Sequence, residues 1–263
     1  MSIVWRDGRL VADGVRRTGP GAGWGVFTTV GCDGGRPLLW PWHFERLSAS
    51  LTRLGADDDI RIPDEDALCQ LLAAEHIGGP ARVRVVGRAG VDSPWSVIAT
   101  AVALDEAGPG LPPARLIIER WPGVPAMAGH KMLNREKWDL ARERAVKEGA
   151  DDALLVDGSG HVLETSIANV WVRHDGAVLT PPAPDRCLPG VMRRWLLEQS
   201  GTLGLRVREC DLGVDDVAAA DEVLVSNAVV GLRRVSRVVD RRWAEWPLFE
   251  RLRELGVPAP GWS

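Results

Sequence analysis

The sequence predicts a mixed α/β (α+β) protein in two lobes, on three observations. Strand-like runs and helical stripes are interleaved along the chain rather than segregated. Short runs flanking Asp-Gly, Gly-Ser-Gly and His-Asp-Gly recur as hairpin signals. One stretch, "DEAGPGLPPA" (105–114), packs three prolines and two glycines into ten residues and cannot sit inside a regular element. That break divides the chain into a small N-terminal lobe (1–105), a linker (106–114) and a larger C-terminal lobe (115–263).

In the first lobe "IVWRDGRLV" (3–11) reads as a hairpin about Asp7-Gly8. "HFERLSASLTRLG" (43–55) places Phe44, Leu47, Leu51 and Leu54 on one helical stripe, with Gly55 just past its end. "DEDALCQLLAAEHIGG" (64–79) is a second helix signal. "ARVRVVGR" (81–88) and "WSVIATAVAL" (95–104) are rich in β-branched residues and read as strands. In the second lobe "RLIIER" (115–120) reads as a strand. "GHKMLNREKWDLARERAVKEG" (129–149) follows as a loop and a helix with Asn134 as N-cap, Trp138, Ala141 and Ala145 on one face, and Gly149 at its end. "DALLVD" and "HVLET" flank Gly-Ser-Gly, and "NVWVR" and "AVLTP" flank His-Asp-Gly, giving two hairpins. "GVMRRWLLEQSG" (190–201) is a short helix, and "DEVLVSNAVVGLRRV" (221–235) is a strand running into a loop.

Composition narrows the function classes. A net charge of −4 gives no reason to expect nucleic acid as a partner. No run approaches the ~20 apolar residues of a membrane span, and the N-terminus lacks a signal-peptide core. The four cysteines are widely spaced and form no CxxC pair, so they read as reduced thiols of a cytoplasmic protein, with no metal site expected. With no tyrosine in the chain, no phenolic hydroxyl serves in any site.

Several residues carry chemistry. Lys131 stands in a turn of Gly, His, Met and Asn ahead of a helix, where the helix dipole gives a cation no advantage. Read blandly it is a solvated lysine; read functionally it is an imine-forming amine. Glu164, in "HVLETSIANVW", is either a hairpin-edge carboxylate or one held ready for a protonated ring nitrogen. Arg46 is either solvated or a phosphate fork. The glycine in "CLPGVMRR" opens a helix whose first N–H groups lack partners, which makes Val191 and Met192 a candidate anion site. "SNAVVG" (226–231) follows a strand with small polar residues.

Taken in order, G-x-G-V-F-T-T, H-F-E-R-L, the lysine loop, E-T-S-x-x-N, L-x-G-V-M-R and S-N-A resemble the fold-type IV pyridoxal-phosphate enzymes, the class IV aminotransferase family. That family includes branched-chain and D-amino-acid aminotransferases and 4-amino-4-deoxychorismate lyases, and the resemblance runs from about residue 3 to residue 235. It implies pyridoxal 5'-phosphate as cofactor, a small-molecule substrate and a homodimer. It also implies roles: Lys131 holds the cofactor as an imine and shuttles a proton, and Glu164 faces the pyridine nitrogen. Arg46, with the Val191 and Met192 N–H groups, grips the phosphate; Asn227 lies near it. Ala228 offers a backbone N–H to the substrate, and Thr29 relays a proton. "VFTT", "KMLNR" and "SNA" lean toward the lyase, which makes 4-aminobenzoate and pyruvate. A transaminase, or a non-catalytic relative that kept the fold, are the alternatives. The lyases usually carry an arginine soon after F-T-T, where Val30 and Gly31 stand here. Arg84 and Arg88 are therefore the candidate cations for substrate carboxylates.

Overall fold

The structure, a computed structural model, describes residues 2–12, 24–90 and 95–262. The chain opens with the expected hairpin. Strands β1 (Ile3–Arg6) and β2 (Arg9–Ala12) are paired Arg6 to Arg9. Asp7 and Gly8 turn between them at φ +45° and +102°, conformations that suit Asp-Gly. Strands β3 (Gly25–Asp33) and β4 (Arg36–Pro37) follow, then helices α1 (Trp40–Arg53) and α2 (Glu65–Ala74), then β5 (Ala81–Arg88) and β6 (Ser96–Ala103). The strands form one antiparallel sheet in the order β2-β1-β6-β5-β3-β4.

Alternation divides this sheet into two faces. Val26, Val30, Val83, Val85 and Ala99 bury themselves against Leu47 and Leu51 of α1 and Leu68, Leu71 and Leu72 of α2. The opposite face carries Phe27 and Thr29, with Arg84 paired directly across from Thr29.

Helix α1 begins three residues earlier than its apolar spacing suggests, behind Leu39 in the left-handed region (φ +54°) and with Pro41 in the first turn. Its buried face is also rotated from the expected stripe. Phe44 is 41% exposed, whereas His43 and Ser50 are buried beside Leu47 and Leu51. The polar pair is sheltered because each finds a partner, His43 in the Thr28 hydroxyl and Ser50 in His130. Helix α2 stops at Ala74, short of the expected glycines.

No strand or helix spans 104–113. Beyond it come β7 (Ala114–Arg120), α3 (Glu136–Lys147), β8 (Asp152–Val156), β9 (Val162–Thr165), β10 (Asn169–His174) and β11 (Ala177–Thr180). Helix α4 (Val191–Gln199), β12 (Arg206–Glu209), α5 (Val214–Ala219), β13 (Glu222–Asn227), β14 (Gly231–Val238), β15 (Arg241–Arg242) and α6 (Pro247–Glu254) complete the chain. The second sheet runs β12-β11-β10-β13-β14-β7-β8-β9, with β15 on β14. It is mixed: β7 is parallel to both β8 and β14.

Two expectations need correction here. Helix α3 is capped by Arg135, not Asn134, and no side chain accepts from its first turn; Glu136 and Asp139 answer the helix dipole instead. The stretch 221–235 is a hairpin, with Asn227 paired to Gly231 and β14 continuing to Val238. Gly231 sits at φ +72°, the conformation that returns the chain.

The C-terminal tail packs against both sheets. Gly261 N–H donates to Asp33 Oδ2 at 2.8 Å, and the Trp262 indole donates to Val230 O at 2.9 Å. No helix among the described residues is long and apolar enough to cross a membrane.

Candidate active site

The lysine loop is fastened to the first sheet, although it belongs to the second half of the chain. Phe27 N–H donates to Lys131 O and Leu133 N–H to Gly25 O, both at 2.9 Å, and Met132 makes a β-bridge with Val26. His130 Nδ1 lies 2.9 Å from Ser50 Oγ on α1. Gly25 has to be glycine at this junction, because a Cβ there would lie 2.4 Å from Gly87 O and 2.8 Å from the Leu133 side chain.

So anchored, Lys131 Nζ sits 5.1 Å from the centroid of the Phe27 ring. The Arg84 guanidinium lies over the same ring at 3.9 Å, and Arg135 stands 5.8 Å from it. Desolvation pulls the Lys131 amine from 10.5 down to about 7, Arg135 and Arg46 push the same way, and Glu164 opposes them. An amine held there has a large neutral fraction at neutral pH, the form that attacks a carbonyl or takes a proton.

Glu164 is fixed by two donors. The Trp138 indole reaches Oε1 and the Leu188 N–H reaches Oε2, each at 3.1 Å. Burial raises its pKa above the ordinary carboxylate value, while those two donors and the nearby Lys131 and Arg135 hold it down. Each oxygen keeps a lone pair for a further N–H.

Arg46 crosses from α1 to the start of α4. Its NH1 donates to Pro189 O at 3.1 Å and its NH2 to Thr28 Oγ1 at 3.0 Å. Burial draws its pKa down to about 10, against the pull of Glu164, so it stays a cation at neutral pH. Pro189 lies two residues before Val191, so the guanidinium stands beside the α4 N-terminus. That helix has Gly190 at its cap and no side-chain cap. The N–H groups of Val191 and Met192 have no acceptor among the described hydrogen bonds. Gly190 is held small by its surroundings: a Cβ there would fall 2.0 Å from Asn169 Oδ1.

Asn227 ends β13, and its Oδ1 accepts from Val229 N–H at 3.0 Å and Val230 N–H at 2.9 Å. The side chain therefore shapes the turn that carries Ala228, leaving only its NH2 group to reach outward. Ala228 O presses on Gly31 of β3: a Cβ at Gly31 would lie 2.2 Å from it. Gly31 and Thr29 share a strand face, so this contact brings Ala228 and Thr29 to the same seam. The same contact leaves no room for a side chain at position 31. Thr29 is partly buried, with no hydrogen bond among those described.

Of the two candidate cations, Arg84 shares the Phe27 ring with Lys131 and its charge helps lower the amine's pKa, whereas Arg88 ends β5 exposed, across from Gly25. Arg84 forms no ion pair among the described residues. The sequence by itself assigns no site role to Thr28, His43, Arg135 or Trp138. The H-x-x-R spacing was a usable signal for His43, since three residues put it one turn from Arg46 on the same side of a helix. Trp138 reads in the sequence only as part of an apolar face, although its indole N–H is the part that reaches Glu164.

Two sheets joined across an amine, a carboxylate and three guanidiniums define an enzyme site suited to an anionic carbonyl ligand. The chain belongs to the class IV aminotransferase family, which matches residues 25–238. An aminodeoxychorismate lyase of Vibrio harveyi is 32% identical over 233 residues, covering 81% of this chain and 83% of the relative. A D-alanine aminotransferase of Listeria monocytogenes is 26% identical over 237 residues, covering 81% and 78%. A solved structure of a candidate 4-amino-4-deoxychorismate lyase from Legionella pneumophila superposes with a TM-score of 0.80 at 26% identity, covering 89% of this chain and 90% of that one.

Proposed function

We propose that this chain is a pyridoxal 5'-phosphate-dependent lyase that converts 4-amino-4-deoxychorismate to 4-aminobenzoate and pyruvate. The observation that carries the cofactor assignment is the Arg46 bridge to Pro189 O. It sets a guanidinium beside two unpartnered helix N–H groups, a donor set that fits a phosphate. Glu164 fits a pyridinium N–H and Lys131 fits an aldehyde. When bound, the cofactor supplies an electron sink for charge developing on the substrate carbon.

The chain's own residues do the rest. Lys131 Nζ, neutral in good part near pH 7, takes the proton from substrate C4. As the C3–O bond breaks, the protonated Lys131 returns that proton to the departing ether oxygen, directly or relayed through the Thr29 hydroxyl; the ring becomes aromatic and the released enol becomes pyruvate. A positioned shuttle of this kind contributes about 10²–10⁴-fold. Arg84, lying free over Phe27, meets a substrate carboxylate. Ala228, against Gly31, borders the substrate space.

The likeness to the Vibrio lyase supports this reading. The match to the Listeria D-alanine aminotransferase favours a second one, amino-group transfer to a 2-oxo acid. The test is to supply 4-amino-4-deoxychorismate without any 2-oxo acid and follow both products, with Lys131→Ala alongside. Equal amounts of pyruvate and 4-aminobenzoate, lost in the variant, support the lyase. A yellow protein that gives no pyruvate, bleaches with an amino acid and recovers with a 2-oxo acid is a transaminase. A protein that cannot take up pyridoxal phosphate refutes both.

A further inference from the structure

Beneath Arg46 lies a buried pair that the chemistry above does not use. Thr28 and His43 are both fully buried. The Thr28 hydroxyl is 2.7 Å from His43 Nδ1 and 3.0 Å from Arg46 NH2. The directions of these bonds follow from the donor inventory. A guanidinium only donates, so Thr28 Oγ1 accepts from Arg46. The hydroxyl keeps one proton, and Nδ1 is the one acceptor it meets among the described hydrogen bonds. The imidazole is therefore neutral, with its proton on Nε2, which has no partner. Burial, then Arg46, then Lys131 all push His43 toward that neutral form.

A protonated His43 would reverse the chain. Nδ1 would donate, and the threonine would face two donors with its own proton unplaced. The neutral ring thus fixes which way the hydroxyl points, and the hydroxyl fixes one arm of the Arg46 fork. The other arm is fixed by Pro189 O.

We propose that Thr28 and His43 act as a positioning pair that aims the Arg46 guanidinium at the N-terminus of α4, so that recognition of a ligand's phosphate depends on a hydroxyl at 28 and an acceptor at 43. This rests on the reading of Arg46 as the phosphate contact. The pair touches neither cofactor nor substrate and acts only through Arg46.

The test compares two ligands of the cofactor-free protein, pyridoxal 5'-phosphate and pyridoxal, which has the ring and aldehyde but no phosphate. Dissociation constants are measured for wild type, Thr28→Val, Thr28→Ser, His43→Leu and His43→Asn, with thermal melts to confirm folding. Thr28→Val and His43→Leu are expected to lose about tenfold or more in affinity for the phosphorylated ligand, with pyridoxal unchanged to within about twofold. Ser at 28, which restores the hydroxyl, and Asn at 43, whose amide oxygen can stand in for Nδ1, are expected to recover most of the loss. Should Thr28→Val fail to fold, His43→Leu against His43→Asn carries the same comparison. An unchanged ratio of the two affinities, or an equal loss for both ligands, overturns the proposal. A wild type that does not prefer the phosphorylated ligand instead refutes the assignment of Arg46 itself, and the positioning role falls with it.

Discussion

Replacing Lys131 by Met is expected to stabilise the cofactor-free protein while abolishing its chemistry, and the gain should shrink as pH rises. Folding lowers the amine from 10.5 to about 7, chiefly by desolvation. At 1.36 kcal/mol per pH unit the ceiling on the cost at pH 7 is about 4 kcal/mol. Solvent reaching the partly exposed side chain brings this nearer to about 2 kcal/mol. Between pH 7 and 10.5 the unfolded chain binds more protons than the native one, so wild-type stability rises with pH across that window. The Met variant lacks this dependence. Urea unfolding of both cofactor-free proteins at pH 7, 8 and 9 reads the difference directly. The variant should be more stable at pH 7, and its lead should narrow by up to ~1.4 kcal/mol per pH unit. A variant no more stable than wild type at pH 7, or a lead that stays constant to pH 9, refutes the claim that Lys131 is held neutral by its surroundings.

Other sites give sharper losses. Gly190→Ala drives a Cβ toward Asn169 Oδ1 at 2.0 Å and should cost about 1–3 kcal/mol, read by urea titration, together with weaker cofactor binding as α4 shifts. Glu164→Gln removes a half-buried carboxylate whose pKa is raised; the cofactor-free protein should be at least as stable as wild type at pH 7, while turnover falls at least tenfold in a product assay. Trp262→Ala removes the indole bond to Val230 O and an edge-on contact with Phe249 at 5.6 Å. Its melting temperature should fall, with a loss of about 3 kcal/mol. Because the tail braces the turn bearing Ala228, the apparent substrate affinity of Trp262→Ala should weaken as well.

Local order was legible in the sequence because local chemistry sets it. Asp7-Gly8 fixes its turn through the left-handed conformations those residues tolerate. The alternation in 81–88 returns as strand β5 with the same bounds. The order of the motifs led to the family that the chain proves to match. Where spacing failed, a distant partner had intervened. Phe44 looked like core and lies open, while His43 looked polar and is buried, because a threonine fifteen positions earlier in the chain supplies its hydrogen bond. Periodicity weighs apolar character, and it is blind to a polar side chain whose partner lies on another element.

By itself the sequence determined the residue types able to do the chemistry, the turns and most of the elements. Tertiary structure decided which of those residues meet. Lys131 gains its perturbed amine only when the edge of β3 captures its loop and three arginines gather around it. Arg46 comes to stand beside the N-terminus of α4 only when α1 reaches across to Pro189. Thr29 and Ala228 come together only because Gly31 lets a carbonyl oxygen from the second sheet press against the first. These are long-range contacts, and desolvation and Coulomb terms depend on distance in space, which separation along the chain does not reveal.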